Sequence, residues 1–218
     1  FGTAQDHKRV YENDKGPNTG GMGAYSPAPI VTKSLEKKII TKIIEPTLNY
    51  LKRKKNYYRG FLYVGLMIKD DEPFLIEYNI RMGDPECQVI LPRLKTNIIK
   101  ILKNTVLNNL KNTKIEWKKE KCMTIVLCAK GYPGNYIKNS QISNIQKVKL
   151  SKNDYIYHAG TKILDNKIIS SGGRVLNVTS IGNNFLKIRK KIIFIIKQLN
   201  WKNGFFRKDI GCKIINKK

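Results

Sequence analysis

The sequence predicts an α+β protein in which helices accompany an antiparallel sheet. Apolar residues recur at helical spacing in two segments, residues 35–48 and 87–110. Between them lies "GFLYVGLMIKDDEPFLIEYN" (60–79), two apolar runs joined by a charged turn, which is the pattern of a β-hairpin. With 218 residues, 41% of them hydrophobic, the chain is long enough to bury a core, so we expect one domain and a smaller second one.

The elements before the hairpin are predicted from turn residues, caps and breakers. The stretch "GPNTGGMGAYSPAP" (16–29) gathers four glycines and three prolines and predicts a turn-rich loop. Ser34 is positioned to cap the helix that follows, and Pro46 should bend that helix or divide it in two.

A polar stretch, residues 111–121, predicts a junction, and we therefore divide the chain into domains 1–120 and 121–218. The second domain should contain, in order, a strand (122–129), a turn (131–136), strands near 155–164 and 173–180, a helix (183–199) and a short strand near 210–215. His158 in "HAGTK" and the pair Gly172-Gly173 in "SGGRVL" are interpreted as a packed strand residue and a turn.

Composition excludes several classes of protein. No apolar run approaches the roughly 20 residues that a membrane-spanning helix needs, so we expect a soluble protein without a membrane partner. No charged and apolar signal segment opens the sequence, and Phe1 suggests the middle of a longer chain. The four cysteines form no C-x-x-C pair and only two histidines are present, which predicts free thiols in the cytoplasm and no zinc site.

The net charge of +26 raises the alternative of a basic nucleic-acid-binding protein, because affinity for polyphosphates grows with the number of cations. Lysine supplies most of this charge and is spread along the whole chain, whereas bidentate phosphate and base contacts favour arginine. Abundant Lys, Ile and Asn indicate a genome poor in G and C. We therefore interpret the charge mainly as genome bias and do not expect nucleic acid as a partner.

The end of the hairpin carries the residues best suited to bind a metal. Alternation along a strand should place Glu77 and Asn79 on one face with Leu75, and Phe74, Ile76 and Tyr78 on the other. One carboxylate and one amide oxygen suit Mg²⁺, which takes few protein ligands and completes its shell with water and substrate phosphates. Arg81 would lie on the same face if the strand continued, as a ligand for an oxyanion. The alternative is a solvated strand with no ligand.

Two further segments could contribute to a site. "GDPE" (83–86) precedes a helix, so Asp84 should cap its first turn or order the metal shell. "QDHKR" (5–9) is either a solvated charge run or part of an anion site together with the glycine-rich stretch, whose glycines allow a ligand to approach the backbone closely. That stretch matches neither a P-loop nor a dinucleotide fingerprint.

Taken together, the motifs "AQDHKRVYENDKGPNTGGMGAYSPAP", "IEYNIRMGDPECQ", "GYPGNY", "HAGTK", "SGGRVL" and "FFRKDIG" resemble the phosphoribosylamine–glycine ligase family of the ATP-grasp superfamily. The resemblance covers essentially the whole chain. It implies part of an ATP-grasp core followed by a small α+β C-terminal domain. The activity that it implies is the ATP-dependent joining of glycine to 5-phosphoribosylamine in purine biosynthesis, through a glycyl phosphate. Another ATP-grasp carboxylate–amine ligase is the alternative within enzymes, since E-x-N-x-R recurs in that superfamily.

The resemblance also assigns roles to residues. Glu77 and Asn79 match the metal-binding pair, for Mg²⁺ or Mn²⁺, and Arg81 and Asp84 are assigned to catalysis. The residues expected to contact substrates are Asp6, His7, Lys8, Arg9, Asn18, Thr19, Gly20, Gly21 and Gly23. Family members are about twice as long, so the N-terminal half, with the adenine site and a phosphate-binding lysine, would precede Phe1, in the same chain or as a separate one. We therefore expect the chain alone to be inactive.

Overall fold

The computed structural model describes residues 2–215, which form two compact units. Unit 1 comprises residues 28–83 and 94–117, and unit 2 comprises residues 2–27, 84–93 and 118–215. The predicted junction near residue 120 lies close to the boundary at residues 117 and 118. The predicted domains 1–120 and 121–218 nevertheless differ from these units, because residues 2–27 and 84–93 pack with the C-terminal residues.

The strands are β1 (Gln5–Asp6), β2 (Arg9–Tyr11), β3 (Lys15–Asn18), β4 (Gly23–Ser26), β5 (Tyr63–Lys69), β6 (Glu72–Asn79), β7 (Lys121–Ala129), β8 (Asp154–His158), β9 (Thr161–Leu164), β10 (Lys167–Ser170), β11 (Arg174–Gly182) and β12 (Gly204–Phe205). The α-helices are α1 (Lys33–Ile39), α2 (Glu45–Arg53), α3 (Cys87–Ile90), α4 (Ile98–Val106), α5 (Phe185–Ile196) and α6 (Cys212–Ile215). No helix within residues 2–215 has the length and apolarity needed to cross a membrane.

The predicted hairpin is confirmed as the antiparallel pair β5–β6 of unit 1. Its turn consists of Asp70 and Asp71, both with positive φ (51° and 56°), which is the backbone that two-residue hairpin turns favour. The register shifts by one residue between Gly65 and Leu66, so Ile76 has no partner across the ladder. Because such a bulge interrupts the alternation of side chains, the predicted common face of Leu75 and Glu77 does not follow.

The helical segment before the hairpin is divided, as Pro46 predicted. A single π-helical turn, Ile40–Ile44, lies between α1 and α2, and Pro46, which has no N–H to donate, lies in the first turn of α2 directly after it. The predicted cap, Ser34, is wrong: Thr32 is the N-cap, and its hydroxyl accepts a hydrogen bond from the Leu35 N–H at 3.1 Å.

The second helical segment is not one helix. Helix α3 has a single turn and continues as a 3₁₀ turn, Leu91–Arg93, which contains Pro92. The α4 helix starts afresh after Asn97, whose side chain accepts a hydrogen bond from the Ile99 N–H at 2.8 Å. The apolar periodicity of residues 87–110 therefore conceals a helix break at the proline and a second N-cap.

Unit 2 is built on a six-stranded sheet in which every pair is antiparallel, which confirms the predicted α+β class. The order is β1-β4-β7-β11-β8, with β12 also paired to β7. The nine residues of β7 are buried almost throughout, and α5 packs over the sheet through buried isoleucines, namely Ile188, Ile192, Ile195 and Ile196. This apolar layer is the core of the unit.

Several predictions for the C-terminal part need correction. The predicted strand 155–164 is two strands, β8 and β9, and the second pairs with β10, which was not predicted. Residues 212–215 form helix α6 instead of a closing strand. The predicted strands at 122–129 and 173–180 and the helix at 183–199 are confirmed as β7, β11 and α5.

Candidate functional site

Glu77 and Asn79 lie at the end of β6 in unit 1, opposite Gly65 and Tyr63 of β5. The hydroxyl of Tyr78, between them, is hydrogen-bonded to Thr47 of α2. Since side chains alternate along the strand, Glu77 and Asn79 face away from that helix, on a common side.

The space beside Glu77 depends on Gly65. A Cβ atom at Gly65 would lie 2.9 Å from Cγ of Glu77, so the missing side chain leaves room for the glutamate stem. Glu77 is exposed, and its carboxylate makes no hydrogen bond or ion pair with any of residues 2–215. A carboxylate that is accessible and not used by the protein can accept an external cation.

This donor set fits a magnesium ion held jointly with phosphates. Within residues 2–215 there is no group of three or more His, Cys, Asp or Glu side chains arranged for a metal. These residues therefore do not form a metal site in which the protein supplies all the ligands. One carboxylate and one amide oxygen are what Mg²⁺ uses when substrate phosphates supply other ligands.

Arg81 does not continue the strand. Strand β6 ends at Asn79, and the exposed Arg81 donates a hydrogen bond to the carbonyl of Met82 at 2.9 Å. The condition under which Arg81 would share the face of Glu77, a strand continuing to residue 81, is therefore not met, and Arg81 belongs to the irregular segment after the strand.

The glycine-rich stretch of unit 2 is only partly a loop. Residues 23–26 form β4, a buried strand between β1 and β7, although the sequence predicted turns there. Gly23 fits because a Cβ atom at this position would lie 2.7 Å from the carbonyl oxygen of Thr124. Gly23, predicted to bind a ligand, is therefore explained by packing in the core. The exposed residues of the stretch are 16–18, 20 and 29, and Thr19 is half-buried.

Asp6 is a buried carboxylate next to this loop. Its side chain is 6% exposed and forms an ion pair with Nζ of Lys8 at 2.8 Å. Burial, and then the nearby buried carboxylate of Glu86, raise the pKa of Asp6 to about 6, against the opposing effect of Lys8. A Cβ atom at Gly21 would lie 2.8 Å from Oδ1 of Asp6, so the glycine is required by the carboxylate beside it.

His7 is enclosed by the protein. It is fully buried, and its Nε2 accepts a hydrogen bond from the Gly211 N–H at 2.9 Å, while Nδ1 lies 3.6 Å from Asp14. Burial and the neighbouring Arg207 guanidinium lower the pKa of His7 to about 4, so the ring is neutral at pH 7. Its burial argues against the predicted direct contact with a substrate.

Arg9, Asn18 and Thr19 hold the hairpin β2–β3 together. Arg9 pairs with Asn18 across the strands and donates a hydrogen bond to the carbonyl of Gly16 at 2.6 Å. The Thr19 hydroxyl donates to the carbonyl of Lys8 and accepts from the Gly21 N–H, at 2.8 Å and 2.9 Å. Asp6, Lys8, Thr19, Gly20 and Gly21 are thus brought together, whereas Glu77, Asn79 and Arg81 belong to the other unit.

Asp84 does not cap a helix. Its Oδ1 accepts a hydrogen bond from Nε2 of Gln88 at 2.8 Å, and its Oδ2 forms an ion pair with Nη2 of Arg174 at 3.0 Å. The N-cap of α3 is Glu86, which forms no side-chain cap. Sequence reasoning missed Arg174, although its motif "SGGRVL" was noted, because the preceding glycines were interpreted only as a turn.

The comparisons with known proteins assign the family. Residues 1–87 match the family described as "Phosphoribosylglycinamide synthetase, ATP-grasp (A) domain", and residues 122–213 match "Phosphoribosylglycinamide synthetase, C domain". The chain belongs to the phosphoribosylglycinamide synthetase family. It corresponds to the C-terminal half of such proteins.

Two curated relatives show the extent of the match to this synthetase family. The phosphoribosylamine–glycine ligase of Agrobacterium fabrum is 46% identical over 213 residues, which are 98% of this chain and 50% of the relative. The chloroplastic phosphoribosylamine–glycine ligase of Arabidopsis thaliana is 41% identical over 99% of this chain and 41% of its own length. The chain thus spans about half the length of the curated relatives that it matches.

A solved synthetase has the same fold. The crystal structure of phosphoribosylamine–glycine ligase from Thermotoga maritima aligns with a TM-score of 0.80 at 31% identity, over 94% of this chain and 50% of that one. A urea carboxylase from Kluyveromyces lactis aligns with a TM-score of 0.65 at 15% identity, over 100% of this chain and 18% of that one, which is a likeness of fold alone.

Proposed function

We propose that this chain provides the C-terminal part of a phosphoribosylamine–glycine ligase, which joins glycine to 5-phosphoribosylamine and converts ATP to ADP and phosphate in purine biosynthesis. The observation that carries the proposal is the 46% identity to such a ligase over 98% of the chain. The exposed Glu77 and the half-buried Asn79 on one side of β6 support it independently, because this pair suits a cation bound together with phosphates.

The reaction has two steps. A carboxylate oxygen of glycine attacks the γ-phosphorus of ATP, and the bond from that phosphorus to the bridging oxygen of ADP breaks, which gives glycyl phosphate. The amine nitrogen of phosphoribosylamine then attacks the carbonyl carbon of glycyl phosphate. The carbon–oxygen bond to phosphate breaks, the nitrogen loses a proton, and glycinamide ribonucleotide and phosphate are released.

Glu77 and Asn79 would hold the divalent cation, Mg²⁺ or Mn²⁺, which when bound neutralises charge on the ATP phosphates. The cradle at Gly65 keeps the Glu77 carboxylate accessible, and Asn79 adds a neutral oxygen donor. The exposed guanidinium of Arg81 suits the charge on the phosphoryl group during transfer.

The residues of unit 2 would serve the other substrates. Lys8 offers an ammonium group that can bind a phosphate or carboxylate, and Asp6 fixes its position through their ion pair. Gly20 is exposed and has no side chain, so a small ligand could approach the backbone there. Asp84, which is engaged by Gln88 and Arg174, suits an ordering role better than proton transfer.

We place the enzyme in the cytoplasm. The cysteines Cys87, Cys122, Cys128 and Cys212 are free, as expected in a reducing compartment. Fractionation of the source cells, with the enzyme followed by an antibody, tests this placement. Recovery in an oxidising compartment would contradict it.

The activity is tested by supplying the half of the sequence that the curated relatives have in addition. This chain is mixed with the unmatched half of the Agrobacterium relative and, in parallel, fused to it in one chain. Conversion of labelled glycine to glycinamide ribonucleotide is measured with ATP, Mg²⁺ or Mn²⁺ and phosphoribosylamine. We expect activity in the mixture or the fusion and none from the chain alone.

Two variants connect the activity to the proposed metal site. Glu77→Gln should abolish product formation, whereas Glu45→Gln, an exposed glutamate on α2, should not change it. A folded fusion that forms no product, while the intact relative does so in the same assay, would refute the proposed function. Full activity in Glu77→Gln would refute the metal assignment alone.

A further inference from the structure

The backbone of Gly20 is held from both sides by residues of the C-terminal part of the chain. Its N–H donates a hydrogen bond to the Tyr132 hydroxyl at 2.9 Å, and its carbonyl accepts one from Nη1 of Arg174 at 2.8 Å. All three residues lie in unit 2, although 112 and 154 residues separate Gly20 from Tyr132 and Arg174.

The same guanidinium also holds the turn at Asp84. Nη1 of Arg174 donates to the backbone carbonyl of Asp84 at 2.7 Å, and Nη2 forms an ion pair with its carboxylate at 3.0 Å. The planar fork of an arginine can make these contacts together, whereas a lysine ammonium would reach fewer of them. Arg174 therefore joins the glycine-rich loop to the Asp84 turn.

Two glycines make this packing possible. A Cβ atom at Gly20 would lie 2.8 Å from Cζ of Arg174, and one at Gly173 would lie 2.3 Å from the Tyr132 ring. These distances are shorter than any van der Waals contact, so a side chain at either position would displace the arginine or the tyrosine. The loop, the turn and the motifs "GYPGNY" and "SGGRVL" thus form one packed cluster.

We propose that Arg174 and Tyr132 are positioning residues that fix the Gly20 backbone and the Asp84 turn in the geometry needed for substrate binding. The part that concerns substrates rests on the proposed function, whereas the part that concerns the loop rests on the contacts alone. The exposed fraction of the Arg174 side chain is 22%, and its guanidinium is directed to protein oxygens, which fits positioning better than direct binding of a substrate.

The test begins with the purified chain. Tyr132→Phe removes only the hydroxyl that receives the Gly20 N–H, and one lost hydrogen bond should raise the exchange rate of that amide about tenfold, as measured by NMR. Tyr136→Phe is the matched control, because the Tyr136 ring contacts Tyr132 edge-on and its hydroxyl has no hydrogen bond within residues 2–215. Arg174→Lys should also accelerate exchange at Gly20.

The same variants are then measured in the active fusion of this chain with the unmatched half of the Agrobacterium relative. We expect Tyr132→Phe to raise KM for glycine or phosphoribosylamine about tenfold while the melting temperature changes by less than about 3 °C. A purely structural residue would lower the melting temperature and leave KM unchanged.

The possible results distinguish a role in holding the loop from a role in binding substrates. Unchanged exchange at Gly20 in Tyr132→Phe overturns the positioning role. Faster exchange at Gly20 with unchanged KM and kcat overturns the role of the held loop in substrate binding. If Arg174→Lys changes KM and Tyr132→Phe does not, Arg174 binds a substrate directly and is not a positioning residue. If the unsubstituted fusion is inactive, the proposed function fails, while the exchange measurement still decides how the loop is held.

Discussion

Asp6 is expected to destabilise the folded chain at neutral pH, and Asp6→Asn tests this. Burial, and then the neighbouring Glu86, raise the pKa of the carboxyl from its usual 3.8 to about 6. The folded state therefore binds the proton more tightly than the unfolded state, so stability decreases as pH rises from 3.8 to 6. At about 1.36 kcal/mol per pH unit, the full loss above pH 6 is about 3 kcal/mol.

His7 changes the stability of the folded chain with pH in the opposite direction to Asp6, over almost the same pH range. Burial, and then Arg207, lower its pKa from its usual 6.5 to about 4, so its contribution is complete above pH 6.5 and is lost as pH falls towards 4. This loss also amounts to about 3 kcal/mol. In the natural sequence the two effects offset each other between pH 6 and 4. In Asp6→Asn only the histidine effect remains.

Urea unfolding of both proteins between about pH 4.5 and 8 gives the difference in unfolding free energy between Asp6→Asn and the natural sequence. We expect Asp6→Asn to be more stable than the natural sequence by about 1–3 kcal/mol near pH 7.5, with the gain largely lost near pH 4.5. Asp165→Asn makes the same chemical change at an exposed turn and should alter stability by less than about 0.5 kcal/mol. An Asp6→Asn variant that is less stable at pH 7.5, or equally affected at both pH values, would refute the reasoning.

Three further variants test other features of the structure. Glu77→Gln should lower kcat of the complemented ligase at least about 100-fold without changing unfolding free energy by more than about 0.5 kcal/mol, while Glu45→Gln leaves both unchanged. Arg207→Met should cost about 3 kcal/mol in urea unfolding, because it removes the buried guanidinium that pairs with Asp14 and Asp209 and leaves them only Lys213 and the Asn13 N–H, respectively; a loss below about 1 kcal/mol would contradict the importance of that pairing. Gly21→Ala should cost about 1–3 kcal/mol, because φ is +117° and a Cβ atom would meet a proline ring at 2.4 Å, and Gly134→Ala should be nearly neutral by the same measurement.

The parts of the fold that the sequence predicted correctly are those set by local patterns. Strand β7 is a continuous apolar run, and the hairpin β5–β6 has a charged two-residue turn between two apolar runs. Glu77 and Asn79 were assigned to one face by alternation alone, which holds because the bulge at Ile76 lies before both of them. Such features depend on neighbours within a few residues, so the sequence contains the information needed to predict them.

Strand β4 could not be predicted in this way. The residues "GAYS" lack the β-branched alternation of a strand, and the glycines and prolines around them indicate turns. What makes them a strand is pairing with β1 on one side and β7 on the other, and β7 lies about one hundred residues further along the chain. Tertiary pairing thus determined the structure of a segment whose local propensity favoured a loop.

The glycines of the candidate site illustrate the same limit. A glycine in a loop indicates that a side chain has been excluded, but the sequence does not say what excludes it. At Gly20 it is the Arg174 guanidinium, at Gly21 it is Asp6 and a proline, and at Gly23 it is a strand carbonyl and Ile210. Only the first two lie beside charged groups of the candidate site, so one glycine-rich motif serves both the site and the core. The proposed roles of its residues must therefore be tested position by position, with Gly23 expected to affect folding and Gly20 expected to affect substrate binding.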